Sequence, residues 1–441
     1  MRAKWWHVAQ LGERPKGKGH GFESHHVTYS KQKFGRRSFE VVMKIKLKLN
    51  TKRGINIKIG IIDADLIGRK KHRFPNLACM KLSAFHKKQG DEVILKFDYE
   101  NLDDFDKVYI SKVFTDTEIP GEPLDKTNKN CDNISEWYAD NEFLKQENIT
   151  YGGTGFFYDK AESLPEEIEH IMPDYHLYDE WVNEKIAQGK KRDEFKYYLD
   201  YSIGFLTRGC FRKCPFCVNR SKSKCVPASP IAEFVDEKRP KICLQDDNFF
   251  ACSDWKRLIT DLKSTGKAFQ FKQGLDERLL TSDRVEELFN CKTDGDLIFA
   301  FDNIDDKEII EEKLKMIRLL YPNSKKTLKF YTFCGCDRKK IYDEKFWIQD
   351  IVDCFKRIEI LMQYKCIPYI TRFEEYVKSP YKGMYINLAR WCNQPSFFKK
   401  KSFREFCEAN GLESACYKYM KNFEEICPEI SRYFDLKFES K

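Results

Sequence analysis

Tyr201-Ser-Ile-Gly-Phe-Leu-Thr-Arg-Gly-Cys-Phe-Arg-Lys-Cys-Pro-Phe-Cys217 is the stretch on which the fold of this 441-residue chain turns. Tyr201–Leu206 reads as a strand, and it runs directly into Cys210, Cys214 and Cys217, in the order C-x3-C-x2-C. Three thiolates on a tight loop can hold three irons of a 4Fe–4S cluster and leave the fourth iron without a protein ligand. An open iron is what chemistry needs, and a purely electron-carrying cluster with four cysteines lacks one. A zinc knuckle is the competing reading. Zinc asks for four ligands, commonly in paired C-x2-C spacing, and no second pair lies nearby. Cys225 could serve as a fourth ligand only by folding back over Arg220–Lys224.

Outward from the loop, strands and helices alternate. Ile242–Leu244 reads as a second strand ending in Gln245-Asp-Asp-Asn248, and a helix over Trp255–Thr265 leads to a third, Ala268–Lys272, ending in Gln273-Gly-Leu-Asp-Glu-Arg278. Helix 282–290, strand Leu297–Phe301 closing with Asp302-Asn303, helix 305–320, strand 328–333, helix 344–364 and strand 367–371 continue the series. Strand and helix in strict alternation predict an α/β fold with parallel strands.

The cysteine spacing, with the aromatic Phe216 just before the third cysteine, resembles the cluster loop of the radical S-adenosylmethionine (SAM) superfamily. Gln273-Gly-Leu-Asp-Glu-Arg278 resembles the Q-G-L-D-x-R stretch of several of its families. The resemblance spans about residues 196–375, and it is specific at the loop and looser beyond. It implies an incomplete (β/α)6 barrel with its active site at the carboxyl ends of the strands, the end used in full barrels. It also implies a 4Fe–4S cluster on Cys210, Cys214 and Cys217, whose open iron chelates the amino and carboxylate groups of SAM. An electron from a donor such as flavodoxin or ferredoxin then cleaves SAM to methionine and a 5′-deoxyadenosyl radical, which abstracts hydrogen from a substrate. An ammonium held near an iron needs acceptors, which makes Asp246, Asp247 and Asn248 candidates for SAM contact, against a plain turn or helix cap. Gln273, Asp276 and Arg278 could meet SAM or substrate, or Asp276 and Arg278 could form a structural ion pair. Fold does not name the substrate.

Residues 43–195 predict a Rossmann-like open sheet. The Ile55–Ile62 run is a buried strand ending in Asp63-Ala-Asp65; apolar residues at 77, 80, 82 and 85 predict a helix stopped by Gly90; Glu92–Phe97 and Lys107–Ile110 are further strands. Ligands of such sheets sit beyond the carboxyl ends of the strands, where Asp63, Asp65, His72, Ser111 and Lys112 fall. The arrangement resembles the cobalamin-binding-like domain that precedes many radical SAM cores. The D-x-H-x-x-G signature of the axial histidine is missing, since His72 lies nine residues after Asp63. Cobalamin would have to bind through other groups, and a cobalamin-dependent radical methyltransferase is the narrower alternative. The turn Tyr151-Gly-Gly-Thr-Gly155 is expected to lack a preceding strand and so to be no dinucleotide fingerprint. With only Cys79 and Cys131, the domain does not offer the three cysteines of a methylthiotransferase's second cluster.

The flanks carry less. Residues 1–42 hold nine Lys/Arg against three Asp/Glu, which is +6 of the net +9 and leaves 69 basic and 66 acidic side chains elsewhere. Val8–Arg14 and Gly21-Phe-Glu-Ser24 look like a transfer-RNA gene read as protein, so residues 1–42 are expected to be disordered or to precede a true start at Met43, with a basic nucleic-acid or metal-binding arm as the rival. Residues 376–441 predict a helical cap, with helices at 402–410 and 412–423. Trp391–Lys401 mixes aromatic and basic groups, which can stack bases and neutralise phosphate, so a nucleic-acid-binding protein with a structural metal knuckle is the alternative of a different class. Cys334-Gly-Cys336 is expected to be two reduced thiols rather than an auxiliary cluster. Seventeen cysteines without a regular pairing scheme suit a reducing, cytoplasmic setting, and no run of about 18 apolar residues predicts a membrane span.

Overall fold

The computed structural model describes residues 56–124, 129 and 133–439; the expectations for residues 1–42 and Cys131 lie outside them. The amino-terminal part is built on four strands: β1 (Lys58–Asp63), β2 (Glu92–Lys96), β3 (Lys107–Ser111) and β4 (Ile149–Gly152). They form one parallel sheet in the order β2-β1-β3-β4. β1 is apolar on both faces. Ile59 and Ile61 pack with Met80, Trp181 and Val182 on one side, and Ile62 with Val108, Ile110 and Phe156 on the other, the condition of a parallel sheet covered twice. Helix Leu77–Gln89 opens at Asn76, whose side chain accepts from the Ala78 and Cys79 N–H groups. It closes at Gly90, which takes the left-handed φ of 90°.

The structure corrects one reading here. Tyr151-Gly-Gly-Thr-Gly155 does follow a strand, because β4 runs directly into it. Four residues, Ile-Thr-Tyr-Gly, are too short for an alternation to register, and the strand is specified by its pairing along β3. Gly153 takes φ 107° with Lys112 O only 2.3 Å from where a Cβ would stand, so only glycine turns the chain there.

Eight further strands follow: β5 (Tyr201–Gly204), β6 (Thr207–Arg208), β7 (Val226–Pro227), β8 (Lys241–Leu244), β9 (Ala268–Phe271), β10 (Leu297–Ala300), β11 (Leu328–Cys334) and β12 (Ile367–Arg372). β5-β8-β9 and β10-β11-β12 are parallel sheets, and parallel bridges Phe269↔Thr293 and Leu275↔Phe299 join them. Six parallel strands thus stand side by side in chain order, as repeated β-helix-β units dictate. Their crossovers carry helices Trp255–Ser264, Ser282–Phe289, Lys307–Leu320 and Glu344–Gln363, which cover one face with a single apolar core including Leu258, Ile259, Leu288, Leu314 and Leu361.

The carboxyl-terminal helices close the far end. Lys382–Cys392 lies on β12, and Asn393 pairs both the N–H (2.7 Å) and the carbonyl (2.9 Å) of Ile370, sealing an edge that would otherwise present open backbone groups. Helices Phe403–Glu408 and Ala415–Ile426 replace the expected 402–410 and 412–423. Trp391 and Phe398 are wholly buried, and Trp391 Nε1 donates to Lys401 O at 2.9 Å, so these aromatics are core, not a platform for bases. Among the described residues no helix is long and apolar enough to cross a membrane.

Candidate metal centre

The three cysteines sit on a lobe that springs from the carboxyl end of β5. The antiparallel ribbon β6–β7 pinches the lobe at its base. Gly209 completes the pinch: it takes φ 94°, and a Cβ there would stand 2.1 Å from Lys224 O. The end of the neighbouring strand β8 then ties the lobe down. Asp246 accepts from the Thr207 N–H and hydroxyl, each at 2.7 Å, and from the Leu206 N–H at 3.2 Å. Asp247 accepts from Gly209 N–H at 2.6 Å and Asn219 Nδ2 at 2.7 Å. Both carboxylates expected near an ammonium are therefore occupied as braces of the lobe. Burial raises both, Asp246 to about 7.

Nitrogen donors point at two of the sulfurs. Cys210 Sγ accepts from Arg212 N–H and from Asn248 Nδ2, each at 3.3 Å, and Cys217 Sγ accepts from Asn219 N–H at 3.4 Å. Hydrogen bonds to the sulfurs are one of the means by which a protein tunes an iron–sulfur cluster. Burial, then the charges of Asp302 and Cys210, raises the Cys214 thiol; burial pushes the Cys217 thiol up to about 12. A metal reverses that order, because a coordinating thiol is deprotonated outright.

The donor set can be tested for size. A single zinc at about 2.3 Å from each sulfur draws its ligands almost into contact. Among the described residues no three His, Cys, Asp or Glu side chains are gathered so as to hold such an ion. The three thiols nonetheless act on one another electrostatically. Cys225 is engaged elsewhere, its Sγ 3.2 Å from Asn248 O.

Of the remaining candidates, Asn248 is the most telling. It is 3 % exposed, its amide nitrogen reaches Cys210 Sγ and Asp276 Oδ2, and its Oδ1 is buried without a hydrogen-bond partner. Such an acceptor is expensive to leave unmade. Asp276 does form the ion pair with Arg278 (2.7 Å), and a second with Arg212 (2.8 Å) that reaches back into the lobe. Against its burial, these arginines hold its carboxyl below the usual range. Gln273 is exposed. Phe216 lies against Phe333 of β11 with ring centroids 3.8 Å apart.

Two features went unassigned in the sequence. Asp302, just past β10, faces Cys214, accepts from Phe333 N–H at 3.0 Å and is pushed up to about 6 by burial. Its position after the apolar Leu297–Phe301 run was the available signal. The second is the contact of Tyr158 and Asp159 with the lobe, for which local sequence carries no signal. Cys334 is buried with Sγ 3.4 Å from Thr371 O, and all sixteen cysteines among the described residues are free thiols.

The edge of the amino-terminal sheet does gather its expected residues, but neighbouring side chains and backbone N–H groups engage them. Asp63 accepts from Tyr178, Asp65 from Val113, Phe114 and Thr117, Ser111 from Asn76, and Lys112 donates to Tyr138. Burial pushes His72 down to about 4, and its ring packs edge-on against Phe114. This filled edge does not fit a corrin. No protein-family model, curated protein or solved structure matches this chain.

Proposed function

We propose that this chain is a radical SAM enzyme, with a Rossmann-like sheet preceding a partial (β/α)6 barrel and a helical cap. One observation carries the reading: three free thiols share a lobe at the carboxyl end of the first of six sequential parallel strands, with N–H donors aimed at two of their sulfurs. Cys210, Cys214 and Cys217 would hold a 4Fe–4S cluster. With SAM bound, the cluster would supply an electron for reductive cleavage and so a 5′-deoxyadenosyl radical for hydrogen abstraction. The chain's own part is positional. Asp246 and Asp247 fix the base of the lobe, and the unpartnered Asn248 Oδ1 would accept from the SAM amino group. Phe216 and Phe333 wall the site against water, and Asp276 ties Arg212 to Arg278 across its mouth. The filled edge of the amino-terminal sheet argues against the cobalamin-dependent variant, and the burial of Trp391 and Phe398 against a nucleic-acid module.

Full-length protein reconstituted with iron and sulfide without oxygen, reduced and given SAM, should release 5′-deoxyadenosine. Cys214→Ala should reduce release to background. Intact SAM with the reconstituted wild type would refute the proposal.

A further inference from the structure

The turn that ends β4 continues into Phe157-Tyr158-Asp159, and these residues reach across to the cysteine lobe. The Tyr158 hydroxyl donates to the carbonyl oxygen of Phe216, the residue before Cys217, at 2.9 Å. Asp159 holds the other side of that cysteine. Its Oδ2 accepts from Arg220 Nε at 2.8 Å, and its backbone carbonyl accepts from the Ser221 hydroxyl at 2.9 Å. The Arg220 guanidinium lies 5.2 Å from the centre of the Tyr158 ring, and Val218 packs into the same apolar core as Phe156 and Ile110. Residues 216, 218, 220 and 221 are thus all held by the amino-terminal domain. Tyr158 itself takes φ 49° while 3 % exposed, a left-handed conformation that a bulky residue keeps only where its surroundings over-determine it.

The lobe is therefore pinned at two places by different parts of the molecule. Asp246, Asp247 and Asn248 of the barrel secure its base and Cys210, while the amino-terminal domain grips the segment around Cys217. The Asp159–Arg220 pair is mostly shielded from water, with 16 % and 28 % side-chain exposure, so solvent screens it less than a surface pair.

We propose that Tyr158 and Asp159 are positioning residues, through which the amino-terminal domain fixes the third cysteine of the cluster loop and sets how firmly the cluster is held. This rests on the cluster assignment above. It gives that domain a role in the chemistry without a ligand of its own.

The test uses the full chain in five forms: wild type, Tyr158→Phe, Asp159→Asn, the exchange Asp159→Arg with Arg220→Asp, and Tyr178→Phe. Tyr178 donates to Asp63 in the same domain but away from the lobe, so Tyr178→Phe loosens the domain without touching the grip. After anaerobic reconstitution, release of iron to a chelator should quicken about tenfold in Asp159→Asn, the effect of one charge-assisted hydrogen bond. It should quicken less in Tyr158→Phe, return towards wild type in the exchange, and stay at the wild-type rate in Tyr178→Phe although melting falls. In metal-free protein, alkylation followed by peptide mass spectrometry should show Cys217 labelled several-fold faster relative to Cys210 in Asp159→Asn. Unchanged labelling, or iron release equally fast in Tyr178→Phe, would overturn the inference. Wild type that takes up no iron would instead sink the cluster reading, with the labelling ratio still deciding whether the grip exists.

Discussion

Asn248 has its amide nitrogen on Cys210 and Asp276 and its carbonyl oxygen buried without a donor. In the proposed enzyme that oxygen would accept from the amino group of SAM, and a hydrogen bond between neutral partners contributes about 0.5–1.5 kcal/mol. Asn248→Ala should accordingly weaken SAM binding about two- to tenfold per cluster, read by titrating SAM against reconstituted protein normalised to its iron content. Unaltered affinity would remove Asn248 from the SAM site. Glu277 poses a different residue-scale question. It is wholly buried, neither carboxylate oxygen has a partner, and burial, then Asp276, raises it well above the ordinary glutamate value of 4.5. A group raised in the folded state stabilises fully below its unfolded value and loses that contribution as pH climbs towards its folded value. Wild type should therefore lose ground to Glu277→Gln as pH rises above about 4.5, by up to about 1.4 kcal/mol per pH unit. Denaturant melts from pH 4 to 8 check this, and parallel curves for the two proteins would contradict it.

At the scale of elements, the lobe depends on its pinch. Gly209→Ala forces a Cβ against Lys224 O and a strained φ, a cost on the order of 1–3 kcal/mol that falls on the lobe. The variant should fold with wild-type circular dichroism yet bind markedly less iron, and full iron occupancy would show the pinch to be dispensable. The regular elements were largely legible, because the crossover helices carry clear apolar stripes and the strands between them are short apolar runs. Several elements were not, and two of them show why. β4 is four residues long and owes its existence to β3. Helix Lys382–Cys392 buries Gly383, Met384, Tyr385, Asn387, Leu388, Ala389, Trp391 and Cys392, and its narrow outward face is Lys382, Ile386 and Arg390, with an isoleucine at its centre, so the helical period is faint in the sequence. The roles of Asp246 and Asp247 were also hidden. Their position near the cysteines was readable, but whether a carboxylate braces a loop or faces a ligand depends on which N–H groups the fold brings to it.

The whole molecule joins a doubly covered parallel sheet and six sequential parallel strands to one cysteine lobe, while the carboxyl-terminal helices pack on β12. The three cysteines were legible as a motif, while the grip of Tyr158 and Asp159 on them joins segments about 60 residues apart and arises only from tertiary packing. The most direct test is electron paramagnetic resonance of the reduced, anaerobically reconstituted full-length protein, recorded with and without SAM. The account predicts the signal of a reduced 4Fe–4S cluster, changed in line shape when SAM is added and lost in Cys214→Ala. Protein that carries zinc or no metal, or a cluster signal indifferent to SAM, would contradict it.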